Sequence, residues 1–367
     1  MVSNNKEKVV FNYRENNLNL IRLVAALQVL VGHLWQEFSV PSFRFLLAFK
    51  GVTIFFTLSG FLIYWSFDNN PNIRQYWKNR CLRIYPAMIV ALVCAIVLML
   101  LLGVINCSVF GNSSFWLWIC TQLTFIQEFT PSILHGFGHS NNPNPVLWTI
   151  SVEMLLYMFI PLLYHWIKRY SRKGKTIVLL IIGLLSYWQN QTGFISTFLQ
   201  SISDNGYWNI FIHPFCQFFS FAWFFMVGIL CYLYKDIIIP KIAGKGGYIL
   251  LVYLILCYFG FKNDVEVGSY APNGYALFLY IILTICIFSL AYTKPSYTKQ
   301  ILGNTDISYG VYIYHMLVYK TFSELGLTSG RYAVLAVCLS LGIAYLSWTF
   351  IEKKAMKLKS KSLYKGN

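Results

Sequence analysis

Charged side chains are scarce in this chain: Asp, Glu, Lys and Arg make up 11% of its 367 residues, against 57% hydrophobic. Soluble domains carry about 25% charged residues, so a soluble globular protein is excluded and an integral membrane protein indicated. Acidic residues are the rarer sign, 13 against 29 Lys plus Arg, and the net charge is +16. No basic run with interleaved aromatics lies on a soluble domain, so this excess does not point to nucleic acid. The nine cysteines include no CxxC pair and no zinc-type spacing, and they read as small buried hydrophobes. Only Cys107 and Cys120, beside one polar loop, are placed where a disulfide is conceivable. His135 and His139 have zinc-like spacing, but Gly136 and Gly138 argue against the helix that would align them, and no metal is expected. A GxSxG nucleophile elbow is absent. The opening MVSNNKEKVVFNYREN lacks a leader-type apolar core and a small-residue cleavage site, so the first hydrophobic segment is expected to be retained.

Long apolar runs are what the chain has instead. They recur near residues 18–38, 46–67, 84–105, 146–167, 176–190, 211–234, 248–261, 275–292, 307–322 and 332–351. A further run at 115–129 is short and carries Gln122, Gln127 and Glu128. Lys and Arg gather in alternate loops, whereas residues 106–145 and 191–210 contain neither. Basic loops face the cytoplasm. The pattern predicts an all-α polytopic membrane protein of about ten spans with both termini cytoplasmic. The run at 115–129 is then a re-entrant or interfacial piece. The expected organisation is a cytoplasmic segment 1–17, one membrane domain 18–352 and a basic cytoplasmic tail 353–367.

Arg22 and His33 lie inside the first run, eleven residues apart. That spacing puts them on nearly one helix face, about 16 Å apart along the axis. A charge at mid-bilayer depth costs about 2.5–3.5 kcal/mol on insertion scales, so such residues usually face protein or a wet cavity. Snorkelling for Arg22 and a satisfied core position for His33 are the plain alternatives. Charge topology places Arg22 inward and His33 towards the outer half. Glu153 is likewise acidic within an apolar run and must pair or protonate; Arg22 and the RxxR arginines are its candidate partners. Glu37, four residues after His33, can meet it on one helix face or lie in water at the outer interface.

Further blocks follow in order: GVTIFFTLSGFLIYW at 51–65 with Ser59, YWKNRCLRIYP at 76–86 with Arg80 and Arg83, VLWTISVEMLLY at 146–157 with Trp148 and Glu153, and ISYGVYIYH at 307–315 with His315. The last run ends in TFIEKKAMKL. Together with the Arg-x10-His of the first run, these blocks resemble the acyltransferase 3 family of membrane acyltransferases, over nearly the whole chain. The resemblance implies transfer of an acyl group, commonly acetyl from acetyl-CoA, to a hydroxyl of a glycan such as O-antigen or another envelope polysaccharide, in the bacterial inner membrane. Partners are then the acyl-CoA donor, a glycan acceptor that can be lipid-linked, and membrane lipids. Some members carry an extra extracytoplasmic hydrolase-like domain; here acceptor handling is expected to fall to the membrane domain and its outer loops.

Thioester-to-alcohol transfer needs a base or an acyl-carrying nucleophile, and stabilisation of the oxyanion. Histidine suits either of the first two roles. The expected catalytic set is His33, Arg22 and Glu153. Arg80 and Arg83, three apart, can present two guanidinium forks to one anion of the donor. Ser59 joins them on the donor side, and Trp148 and His315 are assigned to the acceptor. The rival reading is a transporter or flippase, which buried charge in a ten-span bundle would also suit. It calls for interrupted helices at matching positions of two halves, and no such correspondence is seen. A sensor that kept the fold but lost the chemistry is disfavoured by the presence of Arg22, His33, Arg80 and Arg83.

Overall fold

A computed structural model describes residues 12–41, 44–202, 206–303 and 305–359. Lys6, Lys8, Lys361 and Lys365 of the terminal basic clusters lie outside them. Among the described residues the secondary structure is helical apart from one isolated bridge, Ser39 to Ser329. The helices are α1 (Leu18–Glu37), α2 (Gly51–Asn69), α3 (Ile73–Leu101), α4 (Ser113–Gln122), α5 (Trp148–Ile167), α6 (Arg172–Thr192), α7 (Phe194–Ile202) and α8 (Gly206–Leu233). They continue as α9 (Lys235–Ile242), α10 (Gly246–Lys262), α11 (Gly274–Ala291), α12 (Tyr297–Leu302), α13 (Ser308–Glu324), α14 (Ala333–Ser347) and α15 (Lys353–Lys357).

Each of the ten apolar runs coincides with a helix. Among the described residues seven helices are long and apolar enough to cross a membrane, eight if α9 and α10, bent by 86°, form one broken span. The number of crossings is therefore smaller by this measure than the ten expected. One reason is visible in α13, which has 17 residues and is buried on almost every side. A helix buried all round contacts protein rather than lipid and is free to carry polar groups. Two other expectations change. Helix α3 begins at Ile73, eleven residues before its apolar run, because Asn72 caps it by accepting from the Gln75 amide (3.0 Å). Its Lys and Arg residues are also good helix formers. Arg80 and Arg83 thus sit inside a helix rather than at its start. Cys107 and Cys120 are exposed free thiols, so the conceivable disulfide is not formed.

Of the run at 115–129 only the part up to Gln122 is α-helical, within the ten-residue α4, about 15 Å of helix and too short to cross. Gln122 and Gln127 are buried and donate to each other's backbone carbonyls (2.9 and 3.1 Å). Beyond it the loop folds back over the end of α13. The Gly138 amide donates to Glu324 Oε2 (2.8 Å) and Asn144 Nδ2 to the Ile313 carbonyl (3.0 Å).

Helices α2 and α8 cross at backbone contact. A Cβ on Gly60 would lie 2.1 Å from the Phe225 carbonyl oxygen, and one on Gly228 2.0 Å from that of Thr57. Small residues allow such approach in membranes, where close packing replaces the hydrophobic drive between helices. Gly60→Ala is expected to force the two helices apart at a cost of about 1–3 kcal/mol. The check is thermal unfolding in detergent, and an unchanged melting temperature would contradict this packing.

Candidate active site

The site grows from helices α1 and α13, which lie side by side and run parallel. Three contacts join them in the same order along both. Arg22 Nη1 lies 3.8 Å from Asp306 Oδ2, the rings of His33 and His315 are 5.4 Å apart, and Lys320 Nζ donates to Glu37 Oε1 (2.7 Å). The Tyr319 hydroxyl also donates to the Leu30 carbonyl (3.3 Å). Helix α3 is tied to α13 by two more tyrosines, Tyr309 donating to the Ile84 carbonyl (3.0 Å) and Tyr314 to that of Ala87 (3.1 Å). These bonds bring Arg83 beside the start of α13, where its Nη2 is 2.9 Å from Asp306 Oδ2.

Asp306 is therefore shared by two arginines. It also accepts from the Ser308 hydroxyl (2.6 Å), just ahead of the positive end of α13. Burial by itself would raise the Asp306 carboxyl, but Arg83, Arg22 and the bonds from Ser308 outweigh it and hold the carboxyl well below the usual carboxylate range. Sequence reasoning missed this residue. The available signal was position: Asp306 is the one acid between residues 293 and 323 and immediately precedes the ISY block.

His33 is half-buried, and its Nδ1 lies 3.0 Å from Gln36 Oε1. That oxygen only accepts, so Nδ1 carries the proton and Nε2 keeps a lone pair. His315 is fully buried with Nδ1 on the Val311 carbonyl (3.0 Å), which fixes the same tautomer; its Nε2 has no partner. Two imidazoles, each with its basic nitrogen free, thus stand side by side. Glu37 is turned from this pair to Lys320, whose Nζ also donates to the Gly138 carbonyl (3.3 Å). The sequence allowed Glu37 a contact with His33 or a place in water; with 15% of its side chain exposed, it belongs to an ion pair instead.

Beside Arg22 is a small cavity of about 40 Å³. Its polar lining is Arg22, Glu153, Thr149, Ser308, Tyr309 and Tyr312; Val52, Phe55, Phe56 and Ile150 complete the wall. Tyr312 connects the two regions: its hydroxyl meets Thr149 Oγ1 (2.6 Å) and its ring is 6.2 Å from that of His315. Glu153 accepts from the Ser59 hydroxyl (2.9 Å) and from Tyr157 through the same oxygen. Ser59 is thus bound to the carboxylate that the sequence assigned to another role. Arg80 donates to Ser66 Oγ (3.3 Å) and lies 5.5 Å from the ring centroids of both Tyr76 and Tyr157. The RxxR arginines therefore diverge, Arg80 to the tyrosines and Arg83 to Asp306. Trp148 does not line the cavity; it packs against Phe221 (5.1 Å) and Tyr270 (6.3 Å). Among the described residues no group of three His, Cys, Asp or Glu side chains is placed to hold a metal.

Residues 15–352 match the family described as "Acyltransferase domain". Full-length similarity extends to Nodulation protein 10 of Rhizobium leguminosarum bv. viciae, 28% identical over 94% of this chain and 94% of that protein. The O-acetyl transferase of Shigella phage Sf6 is 24% identical over 96% of this chain and 99% of that one. Peptidoglycan O-acetyltransferase OatA of Listeria monocytogenes is 25% identical over 94% of this chain and 56% of its own length. No solved structure matches.

Proposed function

The chain belongs to this acyltransferase family and is a multi-pass membrane O-acetyltransferase, and on that premise we propose that it carries acetyl from cytosolic acetyl-CoA to a hydroxyl of a cell-envelope glycan. The observation that carries the reading is the column formed by α1 and α13: arginines at one end, the lined cavity beside them, two basic imidazoles beyond. The arginine end faces the cytoplasm, because Lys and Arg gather on that side of the chain. The protein then sits in the inner membrane with both termini inside, and donor and acceptor meet from opposite leaflets. The Listeria relative is named for peptidoglycan, and an envelope polysaccharide is the acceptor class that the family resemblance implies.

In the reaction, His33 Nε2 takes the proton of the acceptor hydroxyl, and its oxygen attacks the thioester carbonyl carbon. A C–O bond forms, the C–S bond breaks, and the departing thiolate takes the proton from His33. The hydroxyls of Tyr312 and Thr149 are the donors that the cavity offers to the transient oxyanion. Arg22, Arg80 and Arg83 attract the phosphates of the donor, while Glu153, held by Ser59 and Tyr157, offers the acceptor side of the cavity a hydrogen-bond acceptor.

The test is acyl transfer by purified protein in vesicles, with labelled acetyl-CoA outside and envelope glycan fragments inside. Label is expected in the glycan as base-labile ester, with one free CoA released per ester. Label delivered into the lumen as unreacted donor would instead mark a transporter.

A further inference from the structure

Helices α5 and α6 are joined by the short turn at 168–171, yet they splay apart and each packs on α8 instead. Phe159 of α5 meets Phe218, with ring centroids 5.8 Å apart. Ser186 of α6 donates to the Phe219 carbonyl (2.6 Å) and accepts from the Trp223 amide (2.9 Å). Between the two helices lies a crevice of about 450 Å³ with α8 as its floor, within the ~300–1,000 Å³ usual for a ligand pocket. Phe159, Trp166, Ile182 and Leu185 form its sides, and Phe218, Phe219 and Ala222 its floor. Its two polar lining residues are already engaged. Ser186 is bonded as above, and Gln189 accepts from the Ile195 amide at Oε1 (2.7 Å) while its Nε2 reaches Ser220 Oγ (3.5 Å). An ordered water needs two to four polar partners, so this wall has nothing with which to hold one. It is shaped for hydrocarbon.

We propose that this crevice binds one acyl chain of a membrane phospholipid, held as part of the folded protein. Its open side continues into the lipid-facing ridge of α6, where Ile177, Ile181, Leu184 and Leu185 are all more than half exposed, so a chain enters sideways from the bilayer. Of its lining, Ile182 to Gln189 cover about 10 Å of helix axis, inside the ~15 Å of a single leaflet. That reach suits one acyl chain, whereas a long polyprenyl chain would leave most of its length outside. One end carries the mark of a membrane–water boundary: Trp188 packs on Phe194 (5.2 Å) and Phe194 stacks on Phe198 (6.1 Å), all three exposed. Residues 186–202, which form that end, contain no Asp, Glu, Lys or Arg. No charge there selects a headgroup, so the chain is what the site recognises, and ordinary phospholipid supplies it. Without an occupant the facing walls would lose their dispersion contacts across a void. With one, α5 is braced along the crevice while Thr149, Ile150 and Glu153 of the same helix line the cavity beside Arg22. The crevice follows from the membrane fold alone, whatever group the enzyme transfers.

The test begins with the full chain purified in mild detergent and gel-filtered, its retained lipid extracted and identified by mass spectrometry. About one phospholipid per protein is expected; stripping it lowers the melting temperature and adding back palmitoyl-oleoyl-phosphatidylcholine restores it, as mass action requires of a ligand of the folded state. Ala222→Phe fills the floor of the crevice and Ile182→Trp one side. In either variant retained phospholipid is expected to fall about tenfold, the steric loss of an overfilled site, and the add-back no longer raises the melting temperature. Val334→Phe, on the exposed face of α14, is the control and keeps the wild-type count. Wild-type phospholipid in both crevice variants overturns the proposal. So does a wild-type protein that retains none and melts alike before and after the add-back. Retained lipid that proves to be polyprenyl-linked overturns it as well, and gives the crevice to the anchor of an acceptor.

Discussion

His33→Ala is expected to reduce acetyl transfer by about a thousandfold while the protein inserts, accumulates and melts as the wild type does. General-base catalysis contributes about 10²–10⁴ in rate, and here the base has no substitute placed to act. The neighbouring His315 has a basic nitrogen, but it is fully buried and its ring is held on its own helix through the Val311 carbonyl. His33 is half-buried and bonded through one nitrogen to Gln36 one turn along its own helix, so its truncation removes little packing. Initial rates with labelled acetyl-CoA, beside a melting curve of the same preparation, check both halves of the statement. Activity within tenfold of wild type would show that another group takes the proton.

The second large effect lies at the other end of the column. Asp306→Ala leaves two arginine side chains, 9% and 24% exposed, without the carboxylate they share. Removing one partner of a buried ion pair costs about 3–5 kcal/mol, because the remaining charge stays buried and unpaired. The variant is expected to accumulate poorly and to elute broadly in size-exclusion chromatography. Combining Asp306→Leu with Arg83→Met replaces the closer pair by apolar groups of similar size, and folding is expected to return in part, Arg22 still lacking its carboxylate. Activity is not, since Arg83 faces the donor in the reading above. An Asp306→Ala protein as stable as wild type would refute the pairing. Acidity provides an independent view. The folded carboxyl lies below its unfolded value of about 3.9, so this contribution is complete above that value and fades only as pH falls through the lower folded one. Melting temperature is therefore not expected to change through this group between about pH 5 and 8.

What was legible in the sequence follows from what hydropathy and spacing encode. Each apolar run became a helix, because a run without charge has few other ways to satisfy its backbone in a bilayer. The start of α3 escaped, since Lys78, Arg80 and Arg83 interrupt apolarity without interrupting a helix. The parity of Arg22 and His33 on one face was readable, being a property of a single helix. Their partners were not. Asp306, His315 and Lys320 reach α1 from a helix nearly three hundred residues away, and nothing in a hydropathy profile says which helices adjoin. The same gap misdirected Glu37, which spacing assigns to its own helix and the fold assigns to Lys320. For the RxxR pair, three-residue spacing suggested a single target. In a continuous helix that spacing leaves the two side chains about 60° apart, enough for Ser66 and the tyrosines to hold one and Asp306 the other.

The parallel contact of α1 with α13 also sets an order of events in biogenesis. Arg22, His33 and Glu37 enter the membrane well before the residues that match them, which follow nearly three hundred residues later. Until α13 inserts, the first helix carries a guanidinium, an imidazole and a carboxylate into lipid with no counterpart. Joining the two is a contact of very long sequence separation, the kind that forms slowly and leaves chains exposed to association meanwhile. A nascent chain stalled before residue 306 would thus hold a half-built column, polar towards lipid and open to quality-control proteases, and His33 acquires its surroundings only once α13 is made.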